Sequence, residues 1–401
     1  MSGSMLFWLA AGAFASMVSM RICDPMLPAL AADFGTTPAG AAGVVTLYTL
    51  GYGVSQLVHG SLGDRIGKAR YIAGAALVAA AASLACALAP GLRLLEIARL
   101  ATGAVAAAII PLAMAWIGDT VDYGARQTTL AKFLNGVIVG IILGQSMGGM
   151  LADTLGWRSA FLLLAIVFAL TGWQLGVRAA RANPGSPAAT ADTPMLERYV
   201  IVLRAPWARA ILALVAVEGL LVFGALAFVP TSLHERAGLP VWLAGATMAS
   251  FGVGGFFYTA SAARLVRSLG EPGLATAGGL LLAAGFALVA LLPGAASGVV
   301  ACIMLGLGYY MLHSTLQTHA TQMAPAARGT AVALFAMSLF LGQSAGVTFV
   351  AGALSSAGYA ALFGMSAAGL ALIGLVFAAL LRRRTRQADG PRRERRPGAG
   401  D

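Results

Sequence analysis

The chain has 401 residues, of which 59% are hydrophobic and only 10% charged, and its mean hydropathy is +0.83. A soluble domain carries roughly 25% charged residues, so this composition excludes an ordinary water-soluble enzyme or binding module. The net charge of +11 would suggest nucleic acid in a soluble protein, but here the placement of the charge decides its meaning.

Apolar blocks of membrane-crossing length recur along the chain; about 20 helical residues cross a bilayer core. Twelve are drawn, at about 5–27, 40–60, 71–89, 93–117, 127–151, 159–178, 208–229, 241–261, 273–292, 297–320, 329–353 and 358–381. Period-2 barrel segments are absent, so the expected fold is an all-α integral membrane protein with twelve transmembrane helices. The AFA at 13–15 resembles a signal-peptidase site, but no basic segment precedes it and the apolar run continues past it, so no cleavage is expected.

The first span contains SMRICDPMLP (19–28), which puts Arg21 and Asp24 on one helical face inside an apolar run. Pro25 and Pro28 should break the helix there and free backbone carbonyls. The second span places Tyr48, Tyr52 and Gln56 four residues apart on one face. The loop after it reads GSLGDRIGKAR (60–70), where Gly60, Gly63 and Gly67 permit a tight turn and close contact. Asp64 can sit against a positive helix end, with Arg65 and Lys68 as cationic partners. The fourth span, RLATGAVAAAIIPLAMAWIGD (99–119), carries Arg99, with Glu96 just before it. The fifth contains GIILGQSMGG (140–149), whose Gly140, Gly144 and Gly148 form a small-residue seam suited to helix packing.

Residues 179–206 form the longest hydrophilic break, rich in Pro, Ala and Thr in its first half. The expected organisation is therefore a six-helix bundle at 1–178, a linker at 179–206, a second six-helix bundle at 207–381, and a basic disordered tail at 382–401. An internal echo supports the split: LGQSMGG (143–149) in the fifth span and LGQSAGV (341–347) in the eleventh. A two-fold repeat of six helices suits a transporter whose halves rock about a central site.

In the second half, Glu218 lies mid-span in ALVAVEGLLVFG (213–224), and span ten carries Tyr309, His313 and Gln317 four apart. The outer loops hold only Arg93, Arg158 and Arg236, and the spans Arg21 and Arg99. Every other one of the 26 Lys and Arg falls in a cytoplasmic loop or the tail if both termini are cytoplasmic. That asymmetry is a topology signal, and no nucleic-acid partner is expected. Cys23, Cys86 and Cys302 fall inside spans and suggest neither disulfides nor a metal site, and no cofactor is expected.

GSLGDRIGK resembles the loop 2–3 signature of the major facilitator superfamily through Gly60, Leu62, Asp64, Arg65, Gly67 and Lys68, with Ala69 departing from it. Span four resembles a second signature of that family through Arg99, Gly103, Pro111 and Asp119. Span five resembles the signature of its drug–proton antiporter branch, with Gln145 standing where the branch has proline. The resemblance implies two pseudo-symmetric bundles around a central cavity. It also implies a cytoplasmic latch formed by Gly60, Asp64, Arg65, Gly67 and Asp119. The equivalent loop of the second half, AARLVRSLGEPG (262–273), has Arg267 where an Asp would align, so the latch reads as degenerate there.

In that architecture the first helix of each three-helix unit lines the cavity, and Arg21, Asp24, Arg99, Glu218 and His313 all lie on such helices. Ionisable groups within a bilayer normally face protein or a water cavity. A carboxyl in low dielectric prefers its neutral form and can carry a proton between two solvents. With no cation within one turn, Glu218 is the better carrier and Asp24 the better half of a charge pair. Arg21 and Arg99 supply cavity charge; Tyr48, Tyr52, Gln56, Tyr309, His313 and Gln317 are candidates for substrate contact. A structural ion pair for Arg21–Asp24 and an interhelical hydrogen bond for Glu218 are the plainer alternatives.

The leading expectation is a monomeric, proton-coupled exporter of a small organic compound in a bacterial inner membrane. A proton-coupled importer or uniporter is the alternative. An intramembrane enzyme or sensor is more distant, since the chain has no DDxxD, HExxH or P-loop.

Overall fold

A computed structural model describes residues 3–181 and 195–394. Among them all regular structure is helical. Ten helical stretches are long and apolar enough to cross a membrane: α1 (Gly3–Arg21), α2 (Pro38–Ile66), α3 (Lys68–Ala87), α4 (Leu92–Thr120), α5 (Gly124–Thr154), α6 (Trp157–Ala180), α7 (Pro206–Ala237), α8 (Val241–Leu291), α9 (Ala295–Ala320) and α10 (Pro325–Arg386). Two of these exceed a single crossing. α8 has 51 residues and α10 has 62, and each contains one glycine with non-helical backbone, Gly270 (φ 62°, ψ 176°) and Gly358 (φ 72°, ψ 165°).

Proline and glycine punctuate the spans where the sequence places them. α1 stops at Arg21; a turn covers residues 22–26, and helix resumes over Leu27–Asp33. Pro25 has no N–H for the helical ladder, so the chain turns and leaves Asp24 inside the break. α4 breaks at Ala107–Ala108, shortly before Pro111, and α7 at Ala227–Phe228, shortly before Pro230.

Part of the hydrophilic break at 179–206 is itself a helix, Met195–Arg204. The Tyr199 hydroxyl donates to the Leu57 carbonyl at 2.9 Å, tying this helix to α2. Residues 182–194 lie outside the described residues. Where a disordered tail was expected from 382, the last helix continues through Glu394, as suits a stretch rich in arginine, a strong helix former. Residues 395–401 are outside the description.

Close helix packing rests on glycines. α1 lies on α5 so that a Cβ on Gly140 would come within 2.6 Å of the Phe14 carbonyl and one on Gly144 within 2.9 Å of the Val18 Cα; Gly148 faces Ile22. In the second half Gly342 meets Ala216 and Gly346 meets Leu220, between α10 and α7. The sequence step from Gly144 to Gly342 equals those from Val18 to Ala216, Gly148 to Gly346 and Ile22 to Leu220. α2 and α4 show the same regularity. Gly51 abuts Leu100 and Gly103 abuts Tyr48, while Gly254 abuts Ile303 and Gly306 abuts Phe251, all four pairs related by a single constant step.

The described segments before residue 182 and after residue 194 meet along two seams. On one, α2 packs on α10: the Ser344 hydroxyl donates to the Thr46 carbonyl at 3.1 Å, and the Tyr52 and Phe340 rings lie 4.6 Å apart. On the other, α5 packs on the start of α8: Gly149 faces Val241 and Trp242, and the Trp242 N–H donates to the Asp153 carboxylate at 2.8 Å.

Candidate functional site

The turn that ends α1 carries Arg21 and Asp24 into the middle of the molecule. Arg21 Nη1 lies 3.8 Å from Asp24 Oδ2, and Asp24 is completely buried. Neither Asp24 oxygen has a hydrogen-bond partner among the described residues. The pair is thus held by charge rather than by a formed hydrogen bond. The other face of Arg21 belongs to the second half, its guanidinium standing 4.3 Å over the Phe223 ring of α7.

From Phe223 an aromatic and polar chain leads to the other buried acid. Phe223 packs edge-on against Tyr309, with ring centroids 5.1 Å apart, and Tyr309 stacks on the His313 imidazole at 4.7 Å and 18°. His313 Nδ1 lies 2.8 Å from Glu218 Oε2, and Phe335 covers the imidazole from α10. Glu218 is fully buried, and its Oε1 has no partner among the described residues. The two buried carboxylates therefore sit at the ends of one contiguous run, Asp24–Arg21–Phe223–Tyr309–His313–Glu218, that crosses from the first half to the second. The run places the Arg21–Asp24 pair and the His313–Glu218 pair along a single path of touching side chains.

Two further buried side chains carry unpartnered polar atoms. Gln145, and Gln343 at the equivalent place in the LGQS echo, are buried, and each has a side-chain oxygen without a partner among the described residues. Unpaired amides and carboxylates clustered in an apolar interior are costly unless something polar visits them.

Arg99 is not a link in this run. Its Nη1 donates to the Ser19 carbonyl at 2.9 Å and its Nε to the Val44 carbonyl at 3.1 Å, while the guanidinium stacks 4.0 Å over Tyr48. It laces α1, α2 and α4 together. The Tyr48 hydroxyl is engaged by the Ser16 carbonyl at 3.2 Å. Tyr52 faces Phe340 on the seam between halves, Gln56 is buried in α2, and Gln317 is exposed at the far end of α9. Of the substrate-contact candidates, the structure brings only Tyr309 and His313 to the acids.

At the end where α2 meets α3, Lys68 Nζ lies 2.9 Å from Asp64 and 2.7 Å from Asp119. The cation joining the two acids of the expected latch is thus Lys68, while Arg65 is exposed. Gly67 makes the turn with φ 97°, and Gly60 faces open space. Beyond the opposite end of the first half, Asp33 takes hydrogen bonds from Arg158 at 2.9 Å and from the Trp157 indole at 3.0 Å, which hold its carboxyl below the usual carboxylate range. Sequence reading missed Phe223 and Asp153. Phe223 had a signal in principle, since it lies beyond Glu218 on the same apolar span; Asp153 had none, being one acid at a helix end.

The sequence signature of the Major Facilitator Superfamily matches residues 9–347. The chain belongs to the Major Facilitator Superfamily. As a member it is a membrane transporter and not an enzyme. Similar curated proteins include an uncharacterized MFS-type transporter, YybF, of Bacillus subtilis, 25% identical over 161 residues (40% of each chain). The fatty acid resistance protein FarB of Neisseria gonorrhoeae is 25% identical over 177 residues, which are 43% of this chain and 35% of FarB. The matched stretches thus span well under half of these relatives. Among solved structures, the peptide transporter POT in complex with sulfate superposes with a TM-score of 0.76 at 16% identity, over 94% of each chain. The nucleoside transporter NupG gives 0.75 at 13% identity, over 94% of this transporter and 99% of NupG. At such identities the likeness is one of fold.

Proposed function

We propose that this transporter exports a small organic compound in exchange for protons, by alternating access between two pseudo-symmetric six-helix bundles in a bacterial inner membrane. Twelve spans follow if the chain reverses at Gly270 and Gly358, since α8 and α10 are each far longer than the roughly 20 residues that cross a bilayer. The constant steps that relate the glycine contacts of the two halves support the pseudo-symmetry. With both termini cytoplasmic, the seam contacts of Asp153, Trp242, Thr46 and Ser344 lie toward the outside, and the transporter rests closed there. It acts as a monomer.

One observation carries the coupling reading: a fully buried Glu218, paired on one oxygen with His313 and unpartnered on the other, in a run that crosses between the halves. A buried carboxylate favours protonation unless a cation or water compensates, so its protonation can follow the state of the cavity. Asp24 is the second acid, with Arg21 as its counter-ion. Export is favoured over import by the antiporter-like glycine seam of α5 and by the similarity to a resistance protein; the peptide and nucleoside transporters share only the fold.

Everted vesicles containing Glu218→Gln should lose movement driven by a pH gradient yet retain substrate exchange at symmetric pH. If the variant still accumulates substrate against its gradient, the coupling assignment to Glu218 fails.

A further inference from the structure

The second half was expected to lack the latch formed at the Lys68 end, because Arg267 replaces an acid there. The structure places a different arrangement at the same site. The step that carries Gly51 to Gly254 and Gly103 to Gly306 also carries Gly67 to Gly270, and both of these glycines have positive φ (97° and 62°). In that register Asp64 corresponds to Arg267 and Lys68 to Glu271, so each charge is reversed. Asp119 corresponds to Gln322, three residues beyond His319 in the turn that follows α9. His319 Nε2 lies 3.1 Å from Glu271 Oε2, as Lys68 lies 2.7 Å from Asp119.

We propose that Glu271 and His319 form the second half's clasp, with the charge order of the first half inverted, so that the clasp strengthens when His319 is protonated. The first clasp joins lysine to carboxylates and keeps its charges across physiological pH. The second depends on a histidine, the side-chain type whose charge can change between pH 5 and 8. His319 packs edge-on against Trp207 of α7 at 5.4 Å and against Phe377 of α10 at 5.9 Å. Glu271 meets it directly, and the Arg384 guanidinium lies 4.5 Å over the same Trp207. Arg267 turns instead to the Ala263 carbonyl of its own helix. Only the second bundle therefore tightens its loop as this face becomes acidic, while the first stays fastened. The device is independent of which compound is carried and of which acid carries the proton.

The test is a double-mutant cycle of Glu271→Gln and His319→Gln in the full-length protein, read as the non-additive shift in Tm at about pH 5.5 and pH 8. A Lys68→Gln and Asp119→Asn cycle runs beside it. Because Glu271 is half exposed, the coupling should be about 1–2 °C at the lower pH. It should fall by more than half at the higher pH, while the Lys68–Asp119 coupling stays level. His319→Lys should keep its coupling with Glu271 up to pH 8, which keeps the proposal testable if the glutamine variants fold poorly. Equal coupling at both pH values, no coupling at the lower one, or loss of coupling in His319→Lys overturns the proposal.

Discussion

Asp153 offers the sharpest test of alternating access. Its carboxylate accepts the Trp242 N–H at 2.8 Å, in the first turn of the helix that opens at Val241, and this bond joins the two halves. The free N–H groups of a helix start attract an anion, by roughly 0.3–1 kcal/mol where solvent reaches the pair. A charge-assisted hydrogen bond contributes about 1.5 kcal/mol or more where sheltered and less where exposed, as Asp153 is. Taking about 1 kcal/mol for the contact, Asp153→Ala should reduce the ratio of closed to open molecules at this end about fivefold. Spin labels on cysteines replacing Leu155 and Leu292, both exposed at that end on opposite halves, would report the populations by pulsed electron resonance. The native cysteines are all buried and should remain unlabelled. Asp153→Asn, which keeps an acceptor but loses the charge, should give a smaller shift. If Asp153→Ala leaves the distance distribution unchanged, the contact does not hold the halves together and the seam is closed by apolar packing alone.

Gly342→Ala should destabilise the protein by several degrees in Tm or prevent its accumulation, because the new methyl would collide with the Ala216 carbonyl of α7; Gly60→Ala, facing open space, should be neutral. Arg99→Ala should cost about 3–5 kcal/mol of stability, since it unties three helices, and size-exclusion of the solubilised protein would show loss of the monodisperse peak. Asp33 is held below the ordinary carboxylate pKa of about 3.9, so its contribution to stability is present above that pH and fades as pH falls through the lowered value. Asp33→Asn should therefore remove a small part of the Tm decline between about pH 5 and pH 2, and an unchanged decline would discount the Arg158 contact.

Much of the architecture was readable from residue order because its causes are local. Blocks long enough to span hydrocarbon must close their backbone hydrogen bonds internally, which makes them helices wherever they pack. Proline without an N–H and glycine without a Cβ mark breaks in any context, and Pro25, Pro111 and Pro230 each sit beside one. The ionisable residues were also visible as anomalies: few charges enter an apolar span, and Arg21, Asp24, Arg99, Glu218 and His313 stand out against their neighbours.

Their partners were not readable. Arg99 and Arg21 look alike in sequence, yet one donates to backbone carbonyls inside the first bundle and the other reaches across to Phe223. Tyr48 and Tyr309 begin matching stripes, yet Tyr48 is locked under Arg99 while Tyr309 stacks on the imidazole beside Glu218. Sequence order alone determined that this chain crosses a membrane repeatedly and which few side chains would be expensive to bury. The tertiary structure decided which of them meet, because a contact between residues such as Arg21 and Phe223 depends on how helices distant in sequence rotate and cross. No local pattern encodes that rotation; it is set when glycine faces allow some pairs of helices to approach and bulkier faces hold others apart.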